Sequence, residues 1–188
     1  MGNTASNVTT GKPKVGGAVH WAPAGTTIPT DAVTALDKAF VSLGYCSDDG
    51  VSNSSAPDTD TVKAWGGDPV MTTNNGRPDT FQFTLIEAEN VDVLKRVYNS
   101  GNVSGDLETG VTVKVNGGDP EEGVWVIDTI LRGNVAKRIV IPNGSVTDLG
   151  DITYADGDPV GYEVTVTGAP DASGNTHYEY MKKAAATA

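Results

Sequence analysis

One cysteine, Cys46, and two histidines, His20 and His177, are the chain's only thiol and imidazole groups. A single thiol excludes an intrachain disulfide and a thiolate metal cluster, so the expected role of Cys46 is that of a small buried hydrophobe. As a nucleophile it would need a neighbouring base, and the two histidines stand near opposite ends of the chain. Asp48-Asp49, Asp58 with Asp60, and Glu121-Glu122 carry the oxygen ligands that a hard cation takes. None has the glycine and closing glutamate of an EF-hand spacing, and they read as solvated loop acids. No phosphate-binding loop, dinucleotide glycine fingerprint, paired-histidine zinc motif or nucleophile elbow occurs. The expectation is a protein that is not an enzyme, with no catalytic residue, no metal and no cofactor.

Trp21, Trp65 and Trp125 are the remaining candidates for a ligand site, as a stacking platform for sugars in a monomeric carbohydrate-binding β-sandwich. A tryptophan within a strand pattern more often fills a core or an interface, because its large apolar area needs cover. The Asn-X-Ser/Thr triplets at Asn7, Asn53, Asn102 and Asn143 carry no functional weight in a sequence with no charged-then-apolar leader. Gly2 with Ser6 fits only a loose acylation pattern.

The elements that must position these residues are mostly strands. A chain of 188 residues can bury a core as one domain, and 23 glycines with 38% hydrophobic residues suggest many turns around a modest all-β core. The formal net charge of -11 disfavours adhesion to nucleic acid, which depends on Lys and Arg displacing counterions. A surface that lets DNA pass without sticking would also be acidic. No apolar run approaches the ~20 residues of a membrane helix.

Residues 1–14 are polar and without period, and read as a flexible arm. Strands are expected in "KVGGAVHWAP", "FVSLGYCS", "TVKAWGG", "PVMTTNNGRPDTFQFTLIE", "GVTVKV", "GVWVIDTILRG", "VAKRIVIPNGSVTDLGDITY" and "VGYEVTVTG", with a last short one in "HYEYMKK". "IPTDAVTALDKAF" suggests a short helical turn with Thr30 as N-cap. The polar "DDGVSNSSAPDTD" reads as a long loop, Gly66-Gly67 and Asn75-Gly76 as turns, and Asp156-Gly157 as a tight hairpin.

A single helix is expected near residue 91. Asn90 is a good N-cap, Asp92 sits where the helix dipole favours negative charge, and Lys95 and Arg96 sit where it favours positive charge. Val91, Leu94, Val97 and Tyr98 form one apolar stripe. About ten residues are too few for stability alone in water, so that stripe must lie on the sheet. The open strand edges of such a domain call for pairing with further copies, and a closed ring meets that need most completely.

In order and spacing, "GKPKVGGAVHWAPAGTTIPTDAVTALDKAFVSLGYCSDDGV", "DTVKAWGGDPV", "DTFQFTLIEAENVDVLKRVY" and "LRGNVAKRIVIPNGSVTDLGDITYADGDPVGYEVTVT" resemble the major tail tube proteins of long-tailed, non-contractile bacteriophages. The resemblance implies an antiparallel β-sandwich or split β-barrel with one flanking helix, residues 15–181 forming the tube domain and 182–188 a disordered tail. It implies a homo-oligomer of hexameric rings, stacked into a virion tube that is assembled in the host cytoplasm and conducts DNA during genome ejection. Tape-measure, tail terminator and baseplate or distal tail proteins would be its partners. On this sequence the ring-stacking element would lie within residues 47–77, including Asp48, Asp49, Asp58, Asp60, Trp65, Asp68 and Arg77. Asp128, Asp148, Asp151 and Glu163 are the candidate lumen-facing acids. A tube subunit of a contractile tail or type VI-like machine is the related alternative.

Overall fold

The computed structural model describes residues 2–183. Its strands are β1 (Gly11–Pro13), β2 (Val19–Pro23), β3 (Val41–Ser42), β4 (Cys46–Ser54), β5 (Asp58–Lys63), β6 (Pro69–Gly76) and β7 (Thr80–Leu85). After the helix α1 (Val91–Tyr98) come β8 (Val103–Ser104), β9 (Thr112–Val113), β10 (Gly123–Leu131), β11 (Val135–Leu149), β12 (Tyr162–Ala169) and β13 (Tyr178–Lys183). The main sheet runs β3-β2-β10-β11-β12-β7-β4, with β1 added to β10 and β13 to β11. All of its pairings are antiparallel. β5–β6 and β8–β9 form separate hairpins.

The organising element is β11, fifteen residues long. It pairs with β10 from Val135 to Ile141 and, past an irregularity, once more at Gly144, and residues 135–140 also pair with β13. Residues 143–149 pair with β12. Pro142 and Gly144 sit where the strand passes from one half of the fold to the other. A side chain at Gly144 would begin 2.6 Å from the Trp125 ring, and the Trp125 indole donates to the Gly144 carbonyl at 3.0 Å. Glycine is therefore required at this crossing.

The burial of each strand follows its pattern. β10 is apolar in succession because both of its faces are covered. Trp125 and Ile127 join the main core with Phe81, Phe83, Leu85, Ile141, Tyr162, Val164 and Val166. Val124 and Val126 face a second cluster, with Val140, Ile28, Leu36, Phe40, Tyr178 and Tyr180. β7 and β12 alternate instead, apolar inward and polar outward. Fold class, α1 and the last strand agree with the sequence: among the described residues the chain is mainly β, antiparallel and consistent with a β-sandwich, with one α-helix and no closed barrel.

α1 begins where expected, with the Asn90 side chain accepting from the Asp92 N–H at 3.0 Å. It packs on the main core through Leu94 and partly buried Val91, Val97 and Tyr98. The predicted stripe omits two residues. Val93 is wholly buried, and Arg96 is buried with its guanidinium carbon 3.4 Å from the Trp21 ring centroid. The contact covered by α1 is thus wider than the spacing implies.

Three local expectations need correction. Residues 30–40 form no helix: the Asp31 carboxylate accepts the N–H groups of Val33 and Thr34, and the Asp31 and Thr34 carbonyls accept from Arg138 at 3.1 and 2.8 Å. These bonds replace helical ones, while Leu36 and Phe40 still reach the second cluster. Asp156-Gly157 is not a hairpin turn, and Gly157 has no positive φ. β11 and β12 are joined by a loop of residues 150–161, within which Ile152 packs against the core. The polar stretch 48–60 is largely strand, because backbone pairing of β4 with β7 requires no apolar side chains at a sheet edge.

Two boundaries also differ. Residues 11–13 of the arm pair with β10, and Lys182 and Lys183 of the expected tail belong to β13. Residues 184–188 of that tail lie outside the described residues.

Candidate assembly surfaces

The outward face of β12 carries Glu163, Thr165 and Thr167, and that of β7 carries Thr80, Gln82 and Thr84. Register puts Gln82 beside Thr165 and Thr80 beside Thr167, so these side chains share one face. β4 extends the rows, with Ser52 opposite Gln82 and Ser54 opposite Thr80. β11 extends them on the other side, with Ser145 opposite Thr167 and Asp148 opposite Thr165. The result is a four-stranded face, β11-β12-β7-β4, built of hydroxyl and amide side chains with two carboxylates and no Lys or Arg.

The face is ordered by its own hydrogen bonds. Thr147 and Thr167 hydroxyls lie 2.6 Å apart, and Gln82 Nε2 donates to Glu163 Oε1 at 2.6 Å. Glu163 and Asp148 are exposed on it, and exposed Asp151 follows at its end. Three of the four acids expected at a lumen therefore gather at one end of one polar face. Beyond Gly144, β11 has no ladder partner on its β10 side, and β4 has none on its outer side, among the described residues. The face thus lies between two incompletely paired edges. The β11 edge borders a groove of about 220 Å³ lined by Val97, Tyr98, Val115, Pro120, Val146 and Leu149.

Asp128 does not belong with the other three. It is 2% exposed and accepts from Arg138 Nε at 2.7 Å and Nη2 at 2.8 Å, with Lys14 Nζ at 3.1 Å. Burial alone would raise its pKa, but the hydrogen bonds and charge of Arg138, then Lys14, hold it below the ordinary carboxylate value. Its period-2 position was readable; its neutralisation by a buried arginine on β11 was not. Asp128 faces the second cluster side of the fold, where it anchors the end of the arm.

Most residues of the expected stacking element sit on or beside the β5–β6 hairpin, and its strands are exposed almost throughout. Asp58 and Asp60 lie on β5, and Trp65 and Asp68 in the turn. Gly66 and Gly67 have φ of 112° and 98°, which only glycine adopts freely. Trp65 is fully exposed, and Val62, Val70 and Met71 are exposed beside it, Val62 and Met71 in direct register. Asp48 and Asp49 are elsewhere, in an irregular stretch of β4 between Cys46 and Val51. Arg77 closes the hairpin root by donating to Ser55 at 2.9 and 3.0 Å.

The root has a second anchor that sequence reading missed. Asp79, 1% exposed, accepts from Thr176 Oγ1 at 2.6 Å and Asn53 Nδ2 at 3.0 Å and contacts His177 Nδ1. Burial would raise the Asp79 pKa, and these hydrogen bonds outweigh it and lower it. No local pattern could have joined residues so far apart in sequence.

The sugar-platform reading fails on burial, since Trp21 and Trp125 are core residues and only Trp65 is exposed. Cys46 is half-buried, and burial, aided by the Glu87 charge, pushes its thiol up to about 11. Among the described residues no helix is long and apolar enough to cross a membrane.

A family model described as phage tail tube protein matches residues 1–188, the whole sequence. A search of curated proteins finds no match.

Proposed function

The chain belongs to the phage tail tube protein family and is a structural protein of the virion tail, and on that premise we propose that it forms hexameric rings, stacked as the conduit of a long non-contractile tail. The observation that carries this reading is the cation-free face of β11-β12-β7-β4. Placed toward the axis, it would present hydroxyls, Glu163 and Asp148 to passing DNA, with Asp151 at its rim. A duplex meets no Lys or Arg there to release its counterions, so it slides rather than binds.

The edges of that face supply the ring. β4 of one copy pairs beside the β11 edge of the next, a heterologous contact that closes when the rotation per copy divides a circle. The β5–β6 hairpin then reaches a neighbouring ring, with Trp65 as its anchor, and residues 2–10 of the arm add a second link. α1 packs away from the channel. Tape-measure, terminator and distal tail proteins cap and measure the tube, and DNA crosses it during genome ejection.

Electron microscopy of the concentrated protein, with and without a tape-measure partner, tests the reading. Rings and tubes of uniform width are expected. A strict monomer under every such condition overturns it.

A further inference from the structure

Two exposed features stand at opposite ends of β11, separated by roughly 45 Å of backbone at about 3.3 Å per residue. Before its first residue, a groove of about 520 Å³ is lined by Val8, Thr9, Thr10, Lys12, Leu131 and Arg132. The arm is held there by the Arg132 backbone N–H, which donates to the Thr9 side-chain Oγ1 at 2.9 Å and to the Thr10 carbonyl at 3.2 Å. Among the described residues, neither Lys12 nor Arg132 pairs with an acid. The groove therefore sets the apolar Val8 and Leu131 beside two threonines and two positive charges that have no acidic partner among the described residues, on a chain whose net charge is -11.

After the last residue of β11, the loop 150–161 has the complementary character. Tyr154 is 76% exposed. Asp156 and Asp158 follow it, exposed and unpaired among the described residues, and the loop contains no Lys or Arg.

We propose that the groove beside Leu131 receives the Tyr154 loop of a second copy of this chain, with Lys12 and Arg132 meeting Asp156 and Asp158. A tyrosine is an effective anchor for such a contact because it covers a large area with few rotors and keeps a polar tip. The opposite signs steer the approach and reject the reversed pairing of groove on groove or loop on loop. Because the two features differ and lie at opposite ends, the contact is heterologous and each docked copy offers a fresh groove, so the series propagates. The proposal rests on the tube reading and adds to it a stacking contact separate from the β5–β6 hairpin.

Charge reversal tests it in the full chain. Lys12→Glu with Arg132→Glu, or Asp156→Lys with Asp158→Lys, should leave rings intact but raise the concentration needed for tubes at least tenfold. Combining all four substitutions should restore stacking. All four positions are exposed, and circular dichroism with thermal melting confirms that each variant folds. Unchanged stacking in both charge-reversed proteins, or loss that the four-fold variant does not repair, overturns the docking while wild-type tubes still stand. A wild-type protein that gives no assembly overturns the tube reading itself.

Discussion

Arg138 grips Asp128 through two parallel N–H···O bonds of 2.7 and 2.8 Å, and its side chain has no exposure to solvent. The same guanidinium holds the Asp31 and Thr34 carbonyls, so one buried cation joins β10, β11 and the 31–34 turn. Arg138→Met would strand a buried carboxylate beside Lys14 alone. Chemical denaturation should show a loss of about 3–5 kcal/mol, with part recovered when Asp128→Leu is added. An equal loss in the double variant would mean that the carbonyl contacts, not the ion pair, carry the stability.

Asp79 sets a pH dependence. Its folded pKa is lowered, so its contribution is fully present above the ordinary carboxylate value, about 3.9, and disappears as pH falls through the folded value. Asp128 acts in the same direction. The melting temperature should begin to decline below about pH 6.5, where burial holds the His20 imidazole pKa below its ordinary value, and fall further below about pH 4 as the two carboxylates protonate. Asp79→Asn should flatten part of that fall and cost about 1–3 kcal/mol at neutral pH, because Thr176 and His177 lose a buried acceptor.

Cys46 should be slow with thiol reagents. With its pKa pushed up to about 11, its thiolate fraction at pH 8 is roughly a hundredfold or more below that of a free cysteine. Rapid labelling of the native protein, at a rate close to the denatured one, would show that the thiol is not shielded.

Trp65→Ala separates folding from assembly. The side chain is fully exposed in the subunit, so the melting temperature should move by no more than about 0.5 kcal/mol equivalent. Tube formation should weaken by tenfold or more if the indole is buried in a neighbour. A variant that assembles at the wild-type concentration would remove the hairpin tip from the interface.

Leu94→Ala tests the helix. Leu94 is 8% exposed in the main core, and its truncation should cost about 2–5 kcal/mol. Asn90→Ala should cost only about 1 kcal/mol, the usual worth of an N-cap.

What could be read from the sequence was local. The alternation of β7 and β12, the cap and charges of α1, and the paired glycines after Trp65 each act within a few residues, and each found its place. Asp148, Asp151 and Glu163 were singled out by position alone, and only strand register brings them to one end of a face. The misplaced features all depended on distant partners. Asp128 was lost to Arg138, the 31–34 turn was diverted by the same arginine, and Asp156-Gly157 was overruled because Leu149 and Val164 set the last rung of the β11–β12 ladder. The hydroxyl face was hidden because Thr and Ser carry no strong signal until four strands lie side by side.

β11 also has a mechanical meaning. With the basic groove before its first residue and the acidic loop after its last, a pull between stacked copies would travel along continuous covalent backbone, flanked by ladders for most of its length. Peptide bonds do not yield at forces that separate docked surfaces. A bent tail would then store its strain at the joints between rings, each subunit acting as a stiff link, and straighten again as the links reseat.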